Sequence, residues 1–220
     1  MRTITDRVDY WNHYASGVSQ DNPEDALKSA FGWTQYSGHG PGEELLGEPA
    51  TALELGSCRG HAVAALATKG IVATGVDLSP VQVERALSGW GHLPDAHFVQ
   101  ADVLDYLADS PGTQWDAIYS IFGAVWFTDP ERLLPLVFER LAPGGKLVFS
   151  QAPAVPGSYG VQGMYGNGFT GRAVWIYRWA YEPETWRELL LGVGFRDAHA
   201  RIHPAPAPDH VGTLIGEAWR

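Results

Sequence analysis

The length, charge and cysteine content of the chain exclude several classes of protein. Its 220 residues suit one folded domain, and a formal net charge of -10, from 25 acidic and 15 basic residues, opposes binding to nucleic acid. The single cysteine, Cys58, excludes an internal disulfide and a cysteine-based zinc cluster. No window approaches the roughly 20 apolar residues that span a bilayer, and the start lacks a signal-peptide core. We therefore predict a cytoplasmic protein that does not enter membranes.

The first 50 residues are predicted to be helical or irregular. Asn22-Pro23-Glu24-Asp25 is typical of the start of a short helix, and the glycine-rich residues 38–42 indicate a flexible link. We expect residues 1–50 to form an N-terminal helical cap over a sheet.

Short apolar runs alternate with helical patterns from residue 51 onward. The runs that predict strands are 51–55, 71–76, 97–101, 115–120 and 146–150. Such alternation is typical of a parallel sheet with crossover helices on both faces. The sequence therefore predicts an α/β fold with a doubly wound, mainly parallel, seven-stranded Rossmann-like sheet, and residues 51–150 are its ligand-binding core.

The last 70 residues divide into a lid and a closing segment. Residues 151–181 are rich in glycine and aromatic residues without a clear period, which favours a substrate lid. Within residues 182–220 we predict a helix near 183–193 and strands at 197–202 and 213–219. This pair would add an antiparallel strand at one edge of the sheet. All four segments belong to a single domain, 1–220.

The turn that follows the first predicted strand indicates a ligand site. Residues 56–60 place backbone N–H groups at a helix N-terminus, beside the carboxyl end of a central strand, where doubly wound sheets bind ligands. A dinucleotide motif, G-x-G-x-x-G, would require glycine at Cys58 and at His61. A nicotinamide cofactor is therefore disfavoured.

Acidic residues follow the next two predicted strands. Asp77 lies 21 residues after Gly56, close to the roughly 20 expected of a ribose-binding acid, and Asp102 follows the third strand. Taken singly, each acid could equally cap a helix or a turn. For either residue alone, ligand binding and capping therefore both stay open.

Several segments in order resemble the class I S-adenosylmethionine-dependent methyltransferases. Glu54-Leu55-Gly56-Ser57-Cys58-Arg59-Gly60 is similar to their first motif, acidic-x-G-x-G-x-G, with Cys58 in place of the middle glycine. The further likenesses, which extend over about residues 51–150, are Gly75–Pro80, Ala101-Asp102-Val103, Trp115–Phe122 and Leu141–Leu147.

The resemblance implies S-adenosylmethionine as cofactor and S-adenosylhomocysteine as product. It implies that Glu54 holds the cofactor's ammonium group, directly or through water, that Asp77 accepts from both ribose hydroxyls, and that Asp102 binds the exocyclic amine of adenine. Aromatic faces favour the positive sulfonium. The other residues expected at the cofactor are Tyr10, Trp11, Gly56, Ser57, Cys58, Gly60, Leu78, Val103 and Ser120.

The catalytic and acceptor-binding candidates lie outside these motifs. His13 and His39 are candidate general bases, because the pKa of imidazole lies near neutral pH, although a single histidine is more often structural. Arg172 or Arg178 could pair with an anionic acceptor group. Trp126, Tyr165, Arg172 and Arg178 are the predicted acceptor-binding residues. No histidine, cysteine or acid spacing suggests a metal site, so no metal is expected.

The sequence thus predicts methyl transfer to an oxygen or nitrogen of a small-molecule acceptor, in specialised metabolism. A protein that binds the cofactor without methylating, or a cyclase, is the alternative on the same fold. A nicotinamide-dependent oxidoreductase is a third hypothesis. We expect a small-molecule partner, neither nucleic acid nor membrane, and we leave a homodimer open.

Overall fold

The computed structural model describes residues 4–17, 22–167 and 173–220. In these ranges the strands are β1 (Thr51–Leu55), β2 (Val72–Asp77), β3 (Ala96–Gln100), β4 (Trp115–Ile121), β5 (Leu141–Gln151), β6 (Gly160–Tyr165), β7 (Trp175–Ala180), β8 (Asp197–His203) and β9 (Thr213–Trp219). The helices are α1 (Arg7–Ser16), α2 (Pro23–Lys28), α3 (His61–Ala67), α4 (Pro80–Trp90), α5 (Val103–Ala108), α6 (Ala124–Phe127), α7 (Pro130–Arg140) and α8 (Pro183–Val193), with a 3-10 turn at Glu43–Leu46. None of the helices in these ranges has the length and apolar character needed to span a bilayer.

The main sheet has the strand order β3-β2-β1-β4-β5-β9-β8. The first five of these strands pair in parallel, whereas β9 runs antiparallel to both β5 and β8 at the other end. The predicted doubly wound, seven-stranded fold is confirmed. Chain order reverses between β1 and β4, and such a reversal opens a crevice at the carboxyl ends of the two strands.

Both faces of the sheet are buried. Leu53, Leu55 and Ile118 face one apolar cluster, which also contains Trp186 of α8, and Tyr119 belongs to the cluster on the opposite face. All five of these side chains are fully buried. Parallel strands covered on both sides are nearly continuous in apolar residues, and the central strands fit this pattern.

The antiparallel strand β9 is fixed by a buried carboxylate between two cations. Glu217 lies 2.7 Å from Lys146 Nζ on one side and 2.7 Å from Arg201 Nη1 on the other. Burial acts to raise the pKa of Glu217, but the hydrogen bonds and charges of Lys146 and Arg201 outweigh it and hold the pKa below its ordinary value. The ion pairs therefore join β5, β9 and β8.

The lid segment contains a two-stranded hairpin, which the prediction of an irregular 151–181 did not include. Strands β6 and β7 pair antiparallel from Gly160↔Ala180 to Tyr165↔Trp175. The inner face carries Met164 and Ile176 against α1, and the outer face carries exposed Trp175 and Tyr177. Because large apolar side chains occupy both faces, the sequence lacks the polar alternation that marks a strand.

Helix α1 packs against α4 near the carboxyl ends of the strands, whereas α2 packs against α3. The predicted helix at Asn22-Pro23 is confirmed as α2, and Asn22 Oδ1 accepts from Glu24 N–H at 2.9 Å. Helix α1 is tied to the sheet side by Asn12, whose Oδ1 accepts from Ser79 Oγ at 2.6 Å, and by an ion pair from Arg7 to Asp102. Helix α1 therefore covers the crevice between β1 and β4.

Candidate cofactor site

A cavity of about 690 Å³ opens at the carboxyl ends of β1 to β4. Cavities of this size accommodate cofactors and small substrates. Its wall comes from α1, the turns after β1, β2, β3 and β4, and strand β7. The predicted cofactor residues in the wall are Tyr10, Trp11, Gly56, Cys58, Asp77, Leu78, Asp102 and Val103.

The turn after β1 brings backbone close to the next crossover. Gly56 has φ +83°, and a Cβ there would lie 2.7 Å from the backbone nitrogen of Ala124. The N–H groups of Gly56 and Ser57 donate to the carbonyl of Val76 at 2.8 and 3.1 Å. Glycine is therefore required at position 56 on both conformational and steric grounds.

Cys58 occupies the position where the methyltransferase motif has its middle glycine. Its φ of +47° lies in the left-handed region that disfavours a side chain. Cys58 is exposed where it lines the cavity, and desolvation by the surrounding protein, together with the negative charges of Asp77 and Glu54, raises the pKa of its thiol to about 12. The thiol is therefore neutral at physiological pH.

Asp77 lies at the end of β2, where the residue is 8% exposed. Oδ2 accepts from Cys58 N–H at 2.9 Å, and Oδ1 accepts from Ser79 N–H at 2.8 Å. Burial raises the pKa of Asp77, and these two backbone hydrogen bonds oppose the rise. Each oxygen keeps a second acceptor position, so the carboxylate can bind two further donors.

Asp102 serves as a helix cap and as part of the cavity wall. Its Oδ1 accepts from Leu104 N–H at 2.9 Å at the start of α5, and its Oδ2 pairs with Arg7 of α1. Asp102 therefore caps α5 and also lines the cavity, and its contact with adenine stays a prediction. Arg7 also lines the cavity, and no sequence signal had indicated it.

Glu54 lies behind the wall rather than in it. It is 5% exposed, and the hydroxyl of Tyr119 donates to its Oε2 at 3.4 Å. Burial raises the pKa of Glu54 well above its ordinary value, the charge of Asp77 raises it further, and the hydrogen bond from Tyr119 opposes the rise. The structure thus places Glu54 beside Asp77 without direct access to the cavity wall.

Three further residues expected at the cofactor shape the wall from behind instead of lining it. Ser57 is buried, and its side chain occupies the space where a Cβ on Gly75 would lie. Gly60 precedes α3 with φ +73°, and a Cβ there would lie 2.3 Å from the ring of Phe98. Ser120 donates to the carbonyl of Leu55 at 2.8 Å, which joins β4 to β1. The structure therefore places these three residues behind the cavity wall, and their contact with a cofactor stays a prediction.

Neither predicted general base reaches the cavity. His13 is exposed in the last turn of α1, and His39 Nε2 lies 2.8 Å from the carbonyl of Pro204. The ring of His39 also packs against His203, with the ring centroids 5.2 Å apart. His39 therefore anchors its own segment to the loop between β8 and β9, and the structure places neither histidine in the cavity wall.

Of the predicted acceptor-binding residues, some lie at the cavity and others do not. Trp126 of α6 lines the cavity, and Arg178 of β7 lies beside it, with its guanidinium carbon 5.7 Å from the Trp126 ring centroid. Tyr165 is exposed outside the wall, where its ring lies 4.2 Å from that of Trp175. Arg172 lies outside the described residues.

Several residues around Trp126 line the cavity although the sequence did not indicate them. Phe122 has φ +47°, unusual for a bulky residue, and its ring meets Trp126 edge-on at 6.2 Å. Strained residues of this kind cluster at functional sites. The aromatic run 175–181 was a usable signal for strand β7. Tyr177 and Trp179, which belong to the predicted lid, also line the cavity, and the other unpredicted wall residues are Gln82, Phe127, Arg132 and Ile176.

Comparison with known sequences identifies the family. A family model described as a methyltransferase domain matches residues 35–200, more than half of the chain. The chain is 36% identical over 114 residues to trans-aconitate 2-methyltransferase of Paracidovorax citrulli, a match that covers 49% of this chain and 42% of the relative. It is 29% identical over 177 residues to the Deinococcus radiodurans enzyme of the same name, covering 75% and 66%. The chain therefore spans less than half of the first relative's length.

Solved structures share the fold. The 1,6-didemethyltoxoflavin-N1-methyltransferase of Burkholderia thailandensis, with bound S-adenosylhomocysteine, has a TM-score of 0.59 at 20% identity, covering 80% of this chain and 72% of that one. The N-terminal domain of EvdMO1 with S-adenosylhomocysteine has a TM-score of 0.58 at 18% identity, covering 93% and 83%. From the family match, the shared fold and the cavity at the strand ends, it follows that this chain belongs to the class I S-adenosylmethionine-dependent methyltransferases.

Proposed function

We propose that this protein binds S-adenosylmethionine in the 690 Å³ cavity and transfers its methyl group to an oxygen or nitrogen of a small molecule. The observation that carries the proposal is the convergence of Gly56, Asp77 and Asp102 on one cavity. These residues follow three different strands, so their meeting is a property of the fold rather than of one local turn. The family match favours this function over a nicotinamide oxidoreductase.

The residues present fit the cofactor. The acceptor positions left on Asp77 suit two ribose hydroxyls, and Asp102 at the adjacent strand end suits the amino group of adenine. Gly56 itself lines the cavity, and its lack of a side chain lets the backbone of Ala124 pack close beside it. When bound, S-adenosylmethionine would supply a methyl carbon on a sulfonium: the carbon–sulfur bond would break as the acceptor–carbon bond formed, and neutral S-adenosylhomocysteine would be the leaving group.

Aromatic side chains of the wall exclude water from the reacting groups. Trp11, Phe127 and Trp126 form a contiguous series, with ring centroids 4.8 Å apart for Trp11 and Phe127 and 4.9 Å apart for Phe127 and Trp126. Their faces are attractive to a cation, and their bulk shields the acceptor. The main contribution of the chain is then to align donor and acceptor.

The acceptor is inferred to be deprotonated before it binds. Among the described residues that line the cavity there is no histidine, and an acceptor already ionised at neutral pH needs no proton removed. The names of the curated relatives point the same way, because aconitate and the malonyl group of "Malonyl-[acyl-carrier protein] O-methyltransferase 1" of Ilyobacter polytropus are carboxylic acids. Trans-aconitate is therefore the first acceptor to test.

The decisive experiment measures cofactor binding and label transfer separately. We expect S-adenosylhomocysteine to bind in calorimetry and methyl-labelled S-adenosylmethionine to label trans-aconitate or another small acid in a metabolite panel. Binding without any labelled product would favour the non-methylating alternative. No binding of S-adenosylhomocysteine would overturn the proposal itself. A role in specialised metabolism, a cytoplasmic location and a homodimer remain predictions.

A further inference from the structure

Arg178 is a cation that turns toward the protein interior and has no acidic partner among the described residues. It lies on the inner face of β7, opposite Gln162 in the hairpin register, and its side chain is partly buried. Its Nε donates to Gln162 Oε1 at 3.0 Å. Within residues 4–17, 22–167 and 173–220, no carboxylate forms an ion pair with it. An inward arginine normally has a counter-charge, so this one has capacity for an anion.

The guanidinium is held in a fixed orientation. The ring of Trp126 lies beneath it, with 5.7 Å between Cζ and the ring centroid, and Gln162 takes the Nε–H. Neither terminal nitrogen has a hydrogen-bond partner among the described residues, and arginine can bind a carboxylate with these two nitrogens in a bidentate manner.

Two other hydrogen-bond donors lie at the same place. The indole N–H of Trp126 is buried and has no partner in the described part of the chain, which is costly unless a ligand completes it. Tyr10 also lines the cavity, and burial raises the pKa of its hydroxyl while the nearby charge of Arg178 lowers it. Arg178, Trp126 and Tyr10 thus form a cluster of donors beside the cavity, here called the donor cluster.

We propose that the donor cluster recognises a carboxylate group of a ligand in the cavity. The inference rests on the proposed function for the identity of the cavity, and it deepens that function by naming the substrate chemistry. The carboxylate comes from the acceptor or from the amino acid part of the cofactor. Both sources present the same planar, two-oxygen group to Arg178.

The test compares two substitutions that each remove one positive charge. Arg178→Gln removes the cation of the donor cluster, and Arg187→Gln removes a cation from the exposed face of α8, where Arg187 pairs with Glu184 at the surface. Calorimetry measures the affinity of each protein for S-adenosylhomocysteine. It then measures the affinity for trans-aconitate, malonate or benzoate in the presence of saturating S-adenosylhomocysteine. Trimethyl trans-aconitate, which lacks the charged oxygens, is the ligand control.

An acceptor carboxylate predicts that Arg178→Gln weakens acid binding at least tenfold, leaves the ester and S-adenosylhomocysteine unchanged, and differs from Arg187→Gln. A cofactor carboxylate predicts instead a tenfold loss for S-adenosylhomocysteine, with no loss for 5′-methylthioadenosine, which lacks the amino acid carboxylate. The inference would be overturned if both variants bound every acid and S-adenosylhomocysteine with equal affinity. It would also be overturned if the wild-type protein bound S-adenosylhomocysteine but no acid, and Arg178→Gln did not weaken the binding of S-adenosylhomocysteine.

A second variant guards against a folding defect. Trp126→Phe keeps an aromatic ring beneath Arg178 but deletes the indole N–H, and we expect it to weaken the same ligand by about threefold to tenfold. If Arg178→Gln has a lowered melting temperature, Trp126→Phe decides the question. Wild-type protein that fails to bind S-adenosylhomocysteine at all would refute the proposed function, an outcome distinct from every result for the variants.

Discussion

Asp77 Oδ2 accepts a hydrogen bond of 2.9 Å from the backbone N–H of Cys58. The acid at the end of β2 is thereby joined to the glycine-containing turn after β1, although 19 residues separate them in the chain. Two sequence motifs that are each weak alone therefore form one structural unit. Perturbing either residue should affect the position of the other.

Replacing Asp77 by asparagine should weaken S-adenosylhomocysteine binding by about tenfold to a hundredfold, since ribose hydroxyls lose a charged acceptor. One of the two backbone hydrogen bonds to Asp77 should also weaken, because an amide has a single oxygen. Calorimetry measures the affinity, with Asp109→Asn at the exposed end of α5 as control. An unchanged affinity in Asp77→Asn would remove this carboxylate from the site.

Cys58→Gly should stabilise the folded protein. The left-handed backbone at φ +47° costs about 1 kcal/mol or more with a side chain, and part of this gain is offset by the greater freedom of glycine in the unfolded chain. We expect urea denaturation to show a rise of about 0.5 kcal/mol in the free energy of unfolding. A decrease would show that the thiol makes packing contacts worth more than the backbone strain.

Gly56→Ala should destabilise the protein. The new methyl group would lie 2.7 Å from the backbone nitrogen of Ala124, in a residue with φ +83°. Gly70→Ala is the matched control, because Gly70 has φ +78° and a Cβ added there would meet open space. We expect a loss of about 1 kcal/mol for the control and at least about 1 kcal/mol more for Gly56→Ala in urea denaturation. Equal losses would contradict the close approach to Ala124.

The stability of the protein should depend on pH through Glu54. Its folded-state pKa is raised well above 4.5, chiefly by burial, so between 4.5 and that raised pKa the folded state retains a proton that the unfolded state releases. The free energy of unfolding should therefore fall as pH rises through this window. Glutamine mimics the protonated acid, so Glu54→Gln should lose less stability than wild type.

The measurement for Glu54 is urea denaturation at a series of pH values from 4.5 upward. The advantage of Glu54→Gln over wild type should grow with pH, whereas Glu188→Gln on the exposed surface of α8 should show no such trend. A constant difference across the series would mean that the folded pKa of Glu54 is not raised.

The sequence allowed the strands and the cofactor side of the cavity to be predicted. Asp77 and Asp102 end consecutive crossover units, and parallel strands bring their carboxyl ends to one edge, so spacing along the chain translates into proximity. The same reasoning could not separate Gly56, in the wall, from Gly60, which packs on Phe98. Which glycine faces the cavity depends on tertiary packing, and the spacing of residues along the chain does not encode this packing.

The acceptor side was harder to predict because its parts come from distant segments. Helix α1, helix α6 and strand β7 meet only in the folded chain, and the aromatic residues at their contacts are also typical of an ordinary core. The histidines were chosen for their chemistry alone. His39 instead binds a carbonyl near the loop after β8, a contact 165 residues away that no local pattern indicates.

The placement of Glu217 between Lys146 and Arg201 has a consequence for how the chain assembles. Displacing β9 by one residue would put Gly216 or Ala218 beside both cations and carry the carboxylate to the opposite, apolar side of the sheet. Misaligned pairings would thus leave three unmatched charges. We therefore expect Glu217 alone to favour the native register of β9 over shifted registers during folding.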